Sequence, residues 1–178
     1  MTWFCEMANS VIGANGELLE YRHLLANPAT RKTWSHSYGN EIGRLAQGIT
    51  GRVKGTNTFF FIEQNQIPTD RRKDVTYARI CCNVRPEKTN EPNRCRITVG
   101  GDRINYPHEV ATPTADLLTV KLLLNSIIST EGAQFCSVDI KNFYLCTPLK
   151  RYEYVRMHLS DFPQDVITQY ELTKLANN

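Results

Sequence analysis

A single carboxylate closes an apolar run in the last third of the chain. Gln134-Phe135-Cys136-Ser137-Val138-Asp139-Ile140 reads as a β-strand that delivers Asp139 at its end, and Lys141-Asn142 turns directly into the aromatic pair Phe143 and Tyr144. Placing an acid beside buried apolar side chains is costly unless a cation or a donor compensates it. A hard cation held against phosphates meets that need. A neighbouring lysine meets it as well, and so does a turn that the Asp side chain caps. The spacing by itself leaves these alternatives open.

The other group with chemical reach is basic. Residues 70–104 carry nine Lys/Arg against five acids, whereas the rest of the chain has twelve basic and thirteen acidic residues. One segment therefore holds the whole of the net charge of +3. Such a concentration fits a solvated hairpin surface, and it also fits a surface that faces phosphates. Asp161 and Asp165 lie one helical turn apart and suit the positive end of a surface helix. No Ser/His/Asp grouping, phosphate-binding glycine loop or dinucleotide fingerprint is present.

Six cysteines (5, 81, 82, 95, 136 and 146) include no C-x-x-C pair, and the four histidines (23, 36, 108 and 158) are scattered, so no zinc site is expected. No basic stretch followed by an apolar one opens the sequence, so no secretory signal is read. The cysteines are then expected to be free thiols in a reducing compartment, the cytoplasm or the nucleus. The longest apolar stretch, Leu117 to Ile128, is broken by Lys121 and Asn125 and is too short and polar to span a membrane. A length of 178 residues, 41% of them hydrophobic and 22% charged, predicts one soluble globular domain with a sizeable core.

Several elements must position these residues. Asn15-Gly16 predicts a tight turn. Asn27-Pro28 predicts a capped helix start, Trp34, Tyr38, Ile42 and Leu45 form its apolar stripe, and Gly48 stops it. Thr58 to Ile62 reads as a buried strand. Asp74 to Arg85 reads as a strand with a bulge near Ala78-Arg79, because Val75 and Tyr77 fall on one face and Ile80, Cys82 and Val84 on the other. Arg94 to Val99 reads as its antiparallel partner, giving a hairpin with a basic outer face. Thr112-Pro113 or Thr114 is the expected cap of a helix so apolar from Leu117 to Ile128 that it should be buried on all sides. After the Asp139 strand, Tyr154 to Leu159 reads as a strand, and Ser160 as the cap of a last helix running through Pro163 to about Leu175.

Val138-Asp139-Ile140-Lys141-Asn142-Phe143-Tyr144-Leu145, followed by Thr147-Pro148-Leu149, resembles the first catalytic motif of copia-type retrotransposon reverse transcriptases. Arg94-Cys95-Arg96-Ile97-Thr98-Val99-Gly100-Gly101 is similar to their basic fingers strand. Tyr106-Pro107, Ala111-Thr112-Pro113 and Thr119-Val120-Lys121-Leu122-Leu123-Leu124 resemble their link into the palm helix. The likeness runs from about Trp34 to about Leu159, with the motifs in the family's order and spacing.

The resemblance implies an α+β fold, an incomplete right-hand polymerase with antiparallel strands and packed helices. Residues 1–49 would be an N-terminal extension and helix, 50–105 a fingers-like β region, and 106–178 the first part of the palm. Asp139 would be the catalytic carboxylate and would bind two Mg²⁺ ions, with the Ile140 carbonyl as a further ligand. Arg96, with Arg94 as a second candidate, would hold the triphosphate of the incoming deoxynucleotide. The Tyr144 ring would sit under the sugar and exclude a 2′-hydroxyl. The implied partners are an RNA or DNA template-primer, the deoxynucleotide, and the downstream palm and thumb.

One departure weighs against catalysis by this chain alone. The family's chemistry needs a second, adjacent pair of aspartates, and no two acids are neighbours anywhere in this sequence. One carboxylate cannot hold two divalent ions about 4 Å apart. The reading is therefore a portion of a polyprotein reverse transcriptase, with RNA-directed DNA polymerase activity in the intact parent. The alternative is a non-catalytic nucleic-acid-binding or interaction remnant of a degenerate element.

Overall fold

The computed structural model describes residues 11–108, 114–140 and 143–176. They form two units, each described by itself. The first takes in the described residues up to Ile104 and again from Pro148, and the second runs from Asn105 to Thr147.

The first unit is built around one long helix. After the short α1 (Tyr21–Ala26), α2 runs Pro28–Leu45. Asn27 caps it as expected, its Oδ1 accepting the Ala29 N–H at 3.0 Å, and Pro28 supplies the pre-set first turn. Trp34, Tyr38 and Ile42 lie one turn apart and are fully inside, against Tyr21, Leu24, Ile49, Val166 and Leu172. Gly48 then turns the chain at φ +100° into β1 (Gly48–Ile49), which pairs antiparallel with β2 (Val53–Lys54). A Cβ at position 48 would lie 2.6 Å from the Val53 carbonyl oxygen, so the turn requires glycine for space as well as for φ. Earlier in the chain the Asn15-Gly16 turn is present, with Gly16 at φ +84° and a bridge between Ile12 and Leu18.

Thr58 to Ile62 is not a strand. The N–H groups of Thr56, Asn57, Thr58 and Phe59 donate to the carbonyls of Arg44, Leu45 and Ala46. The segment thus commits its backbone to the open end of α2 instead of to a neighbouring strand. Phe59 and Phe61 still pack onto the core, edge to face at 5.4 Å, while Phe60 points outward.

The hairpin is β3 (Thr76–Val84) with β4 (Asn93–Val99), and β5 (Val155–Arg156) pairs parallel with the other side of β3. The β3–β4 register is continuous from Ala78↔Val99 to Val84↔Asn93, so there is no bulge near Ala78-Arg79. Regular alternation accounts for the apparent slip. Tyr77 belongs to the outer face, where the guanidinium groups of Arg79 and Arg103 each lie 5.6 Å from its ring centroid. Ile80, Cys82, Cys95 and Ile97 form the inner face against α2.

β4 is an edge strand, and α2 covers it. Ser37 Oγ donates to the Asn93 carbonyl at 3.0 Å and accepts the Cys95 N–H at 2.9 Å. One buried hydroxyl therefore satisfies two backbone groups that an edge would leave open.

The C-terminal part is more broken than its sequence predicts. The strand is only Val155–Arg156, Leu159–Asp161 is a 3-10 turn, and the helix starts after Pro163 with no side-chain cap, so Ser160 does not serve as one. That helix is split into α4 (Gln164–Gln169) and α5 (Leu172–Ala176) by Glu171, whose φ is +52°. The Tyr170 hydroxyl reaches the Gly48 carbonyl at 2.5 Å, which fixes the break against the β1 turn.

In the second unit, α3 spans Leu117–Ser129 as the apolar run predicts. Its cap is Asp116, whose Oδ1 accepts the Thr119 N–H at 2.7 Å, and this holds the Asp116 carboxyl below the usual carboxylate range. Thr114 does not cap it, and Thr112 and Pro113 lie outside the described residues. The helix buries none of its residues, contrary to the expectation from its composition. Leu117, Leu118, Leu122, Leu123 and Ile128 are all more than half exposed. Gln134 to Ile140 is not a strand either. No strand among the described residues pairs with it, and Phe135, Val138 and Ile140 are exposed. Alternation makes a strand only when a neighbour takes up its N–H and C=O groups.

The architecture is mixed: helices packed on one antiparallel pair and one mixed three-stranded sheet, an arrangement compatible with α+β. No helix among the described residues is long and apolar enough to cross a membrane.

Candidate phosphate-binding face and the Asp139 segment

The hairpin places Arg94 and Arg96 two residues apart on one strand, hence on the same face, with Arg79 of β3 on that face too. Arg96 is exposed and Arg94 half-buried. Two arginines that sequence reasoning did not single out complete a cluster. Arg44 reaches in from α2, bonded to Glu41 at 2.5 Å and to Glu91 at 3.1 Å, and Arg85 donates to the Glu91 carbonyl at 3.1 Å.

Arg94, Arg96, Arg85 and Arg44 thus stand against two carboxylates, Glu41 and Glu91. Burial pushes the Arg94 guanidinium below the usual arginine range. Glu41 opposes that shift, while Arg96, Arg85 and Arg44 add to it. The group stays charged nonetheless, because guanidinium does not give up its proton in a protein. Among the described residues, the Nε atoms of Arg94 and Arg85 are buried and have no hydrogen-bond partner. The cluster therefore carries a surplus of positive charge, which suits an anion at its exposed side.

The rest of the basic segment is not equally available. Arg71 is bonded to Asp74 at 2.8 Å and Glu153 at 2.7 Å, and its guanidinium lies over the Tyr154 ring. The Asp74 hydrogen bond raises it above the usual arginine range. Arg151 joins the same network through Glu153 at 2.6 Å. These charges tie β5 and the turn before β3 together.

In the second unit, Asp139 is exposed between exposed Val138 and Ile140. The Ile140 carbonyl accepts the Phe143 N–H at 3.2 Å, opening a short 3-10 turn over Phe143–Cys146. Tyr144 is in that turn, but its side chain, like Lys141 and Asn142, lies outside the described residues. Among the described residues, no three His, Cys, Asp or Glu side chains converge to hold a metal. One carboxylate and one carbonyl supply too few oxygens for Mg²⁺, so the described residues do not by themselves fit a two-metal centre.

Strand alternation made Arg94 and Arg96 legible as a pair. Arg44 and Glu41 come from a helix some fifty residues earlier, and no local pattern ties them to β4. No family model matches the chain, and no curated protein or solved structure is significantly similar to it.

Proposed function

We propose that this chain is the fingers and early-palm portion of a copia-type reverse transcriptase. Its hairpin contacts the phosphates of template-primer or deoxynucleotide, and Asp139 is the first of the carboxylates needed in the intact parent. The observation that carries the reading is the motif order in the sequence, joined to the arginine face of the hairpin. By the resemblance Arg94 and Arg96 would take the fingers positions, and both stand on a strand face with surplus positive charge. The part this chain performs alone is phosphate binding. With no adjacent acids in the sequence, nucleotidyl transfer waits on aspartates from elsewhere.

A second reading, a binding module without catalysis, is favoured by the same cluster, since among the described residues no three His, Cys, Asp or Glu side chains converge with Asp139 to hold a metal. Two assays test these readings. Binding of a labelled single-stranded oligonucleotide, followed by fluorescence anisotropy across a salt series, should give a Kd no tighter than about micromolar, with a log–log slope of roughly −0.7 per phosphate contact. Replacing both Arg94 and Arg96 by Ala should make that slope shallower by about one to two units, equally for all sequences. Binding that is absent at low salt, or indifferent to the double substitution, removes both readings. For the polymerase reading, this chain alone should extend no primer on an RNA template with Mg²⁺. A longer chain that adds the paired aspartates should do so, and should stop with Asp139→Ala. Persistence of synthesis in that variant rejects the assignment of Asp139.

A further inference from the structure

Cys82 and Cys95 are register partners across β3 and β4, and their sulfur atoms lie 3.7 Å apart. The hydrogen bonds fix which kind of pair they are. Gly100 N–H donates to the Tyr77 carbonyl at 3.0 Å, and Arg85 N–H to the Pro92 carbonyl at 2.6 Å. Both of those bonded pairs lie an odd number of steps from Cys82↔Cys95 along a ladder that alternates. The cysteines therefore occupy a non-hydrogen-bonded pair, and the Cys95 N–H indeed turns away, to Ser37. In such pairs the Cα atoms approach to about 4.5 Å, with side chains close, inside the span that a disulfide bridges but near its short end.

We propose that Cys82 and Cys95 are a reversible redox pair whose disulfide staples β3 to β4. A low-molecular-weight disulfide is the oxidant. A protein thiolate first displaces one small thiol to give a mixed disulfide. The second protein thiolate then displaces the other small thiol, so two S–H bonds are lost, one S–S bond forms within the protein, and the small disulfide leaves as two thiols. Bond formation needs the sulfurs to move from 3.7 Å to about 2.0 Å, a shift within reach of side-chain rotation.

Both cysteines are buried, at 0% and 1% exposure, so exchange proceeds when the edge strand β4 lifts from α2, and opening sets the rate. A bond near the short end of the permitted span forms with strain and is readily reduced. Arg94 and Arg96 flank Cys95 on the opposite face of the strand, so the staple fixes the geometry of the basic face.

The test uses the full chain, reduced and then incubated under native conditions with glutathione disulfide, with and without a low concentration of urea. Remaining thiols are alkylated and the products mapped by mass spectrometry. The expected product has lost two hydrogen atoms, two fewer thiols react, and a Cys82–Cys95 cross-linked peptide is found. The product should form faster in urea and revert with dithiothreitol. Running the same protocol on Cys136→Ser, which removes the exposed thiol among the described residues, should leave the yield unchanged. Glutathione adducts confined to other cysteines, or a cross-link that pairs either residue with a different cysteine, overturn the proposal. So does persistence of both thiols in alkylatable form. Because the mapping is done on the native sequence, its outcome does not depend on whether a Cys82 or Cys95 variant folds.

Discussion

Replacing Ser37 by Ala isolates the contact by which α2 seals the hairpin edge. The substitution removes one oxygen atom from a buried position and adds nothing. It leaves the Asn93 carbonyl and the Cys95 N–H without their partner, at a place where Cys95 is 1% exposed and water has little room to replace it. An unsatisfied buried backbone group costs about 1–3 kcal/mol, and the two here share one partner, so the loss should be about 3 kcal/mol. For a chain of this size that corresponds to a fall in Tm of about 10 °C. Thermal unfolding followed by circular dichroism measures it, and hydrogen exchange at the Cys95 amide reports the cause, because that amide should lose its protection first. Ser35→Ala is the control. Ser35 is on the same helix and only half-buried, so losing its hydroxyl should change stability by less than about 0.5 kcal/mol. A Ser37→Ala protein within about 2–3 °C of the parent, with the Cys95 amide still protected, would refute the claim that this hydroxyl closes the edge.

Tyr38 predicts the opposite sign. Its hydroxyl is buried and unpartnered among the described residues, and burial pushes its pKa far up, so Tyr38→Phe should leave stability unchanged or raise it by about 1 kcal/mol in urea unfolding. Glu153→Ala strips one buried carboxylate from both Arg71 and Arg151 and should cost about 3 kcal/mol; a loss below about 1 kcal/mol would mean that the network is solvated. The exposed apolar surface of α3 should bind a hydrophobic dye and drive self-association. Leu118→Lys together with Leu122→Lys should reduce both, and equal light scattering before and after the change would count against it.

What the sequence made legible follows from where each signal is local. The α2 helix carries its own cap, its own stripe and its own stop, so its boundaries could be read to within a few residues. The hairpin could be read because period-two alternation also sorts Arg94 and Arg96 from Cys95. Thr58–Ile62 and Gln134–Ile140 have strand-like composition, but pairing is decided by partners elsewhere. For the first, those partners proved to be the terminal carbonyls of α2. Composition located α3 but overstated its burial, since apolar character fixes what a surface prefers and not what lies against it. The break at Glu171 places a non-glycine residue in the left-handed region, which no local rule anticipates. Of the candidate site, the two strand arginines were accessible to sequence reasoning, while the counter-charge from Glu41 and the added positive charge of Arg44 depend on the packing of α2 on β4.

The three-stranded sheet has a topological consequence. The chain leaves the first unit after β4, whose last residue pairs with Ala78, and returns as β5 beside Thr76, on the opposite flank of the same strand. The end of β4 and the start of β5 are thus held on the two flanks of β3, about 10 Å apart across two inter-strand spacings. In sequence, residues 105–147, the second unit, are inserted between these two strands of the first. The entropy of closing such a span grows only with the logarithm of its length, about 0.6 kcal/mol for each doubling. The sheet of the first unit is therefore nearly indifferent to how much chain is spliced in sequence between β4 and β5, and that stretch can lengthen, shorten or be exchanged while the arginine face keeps its form.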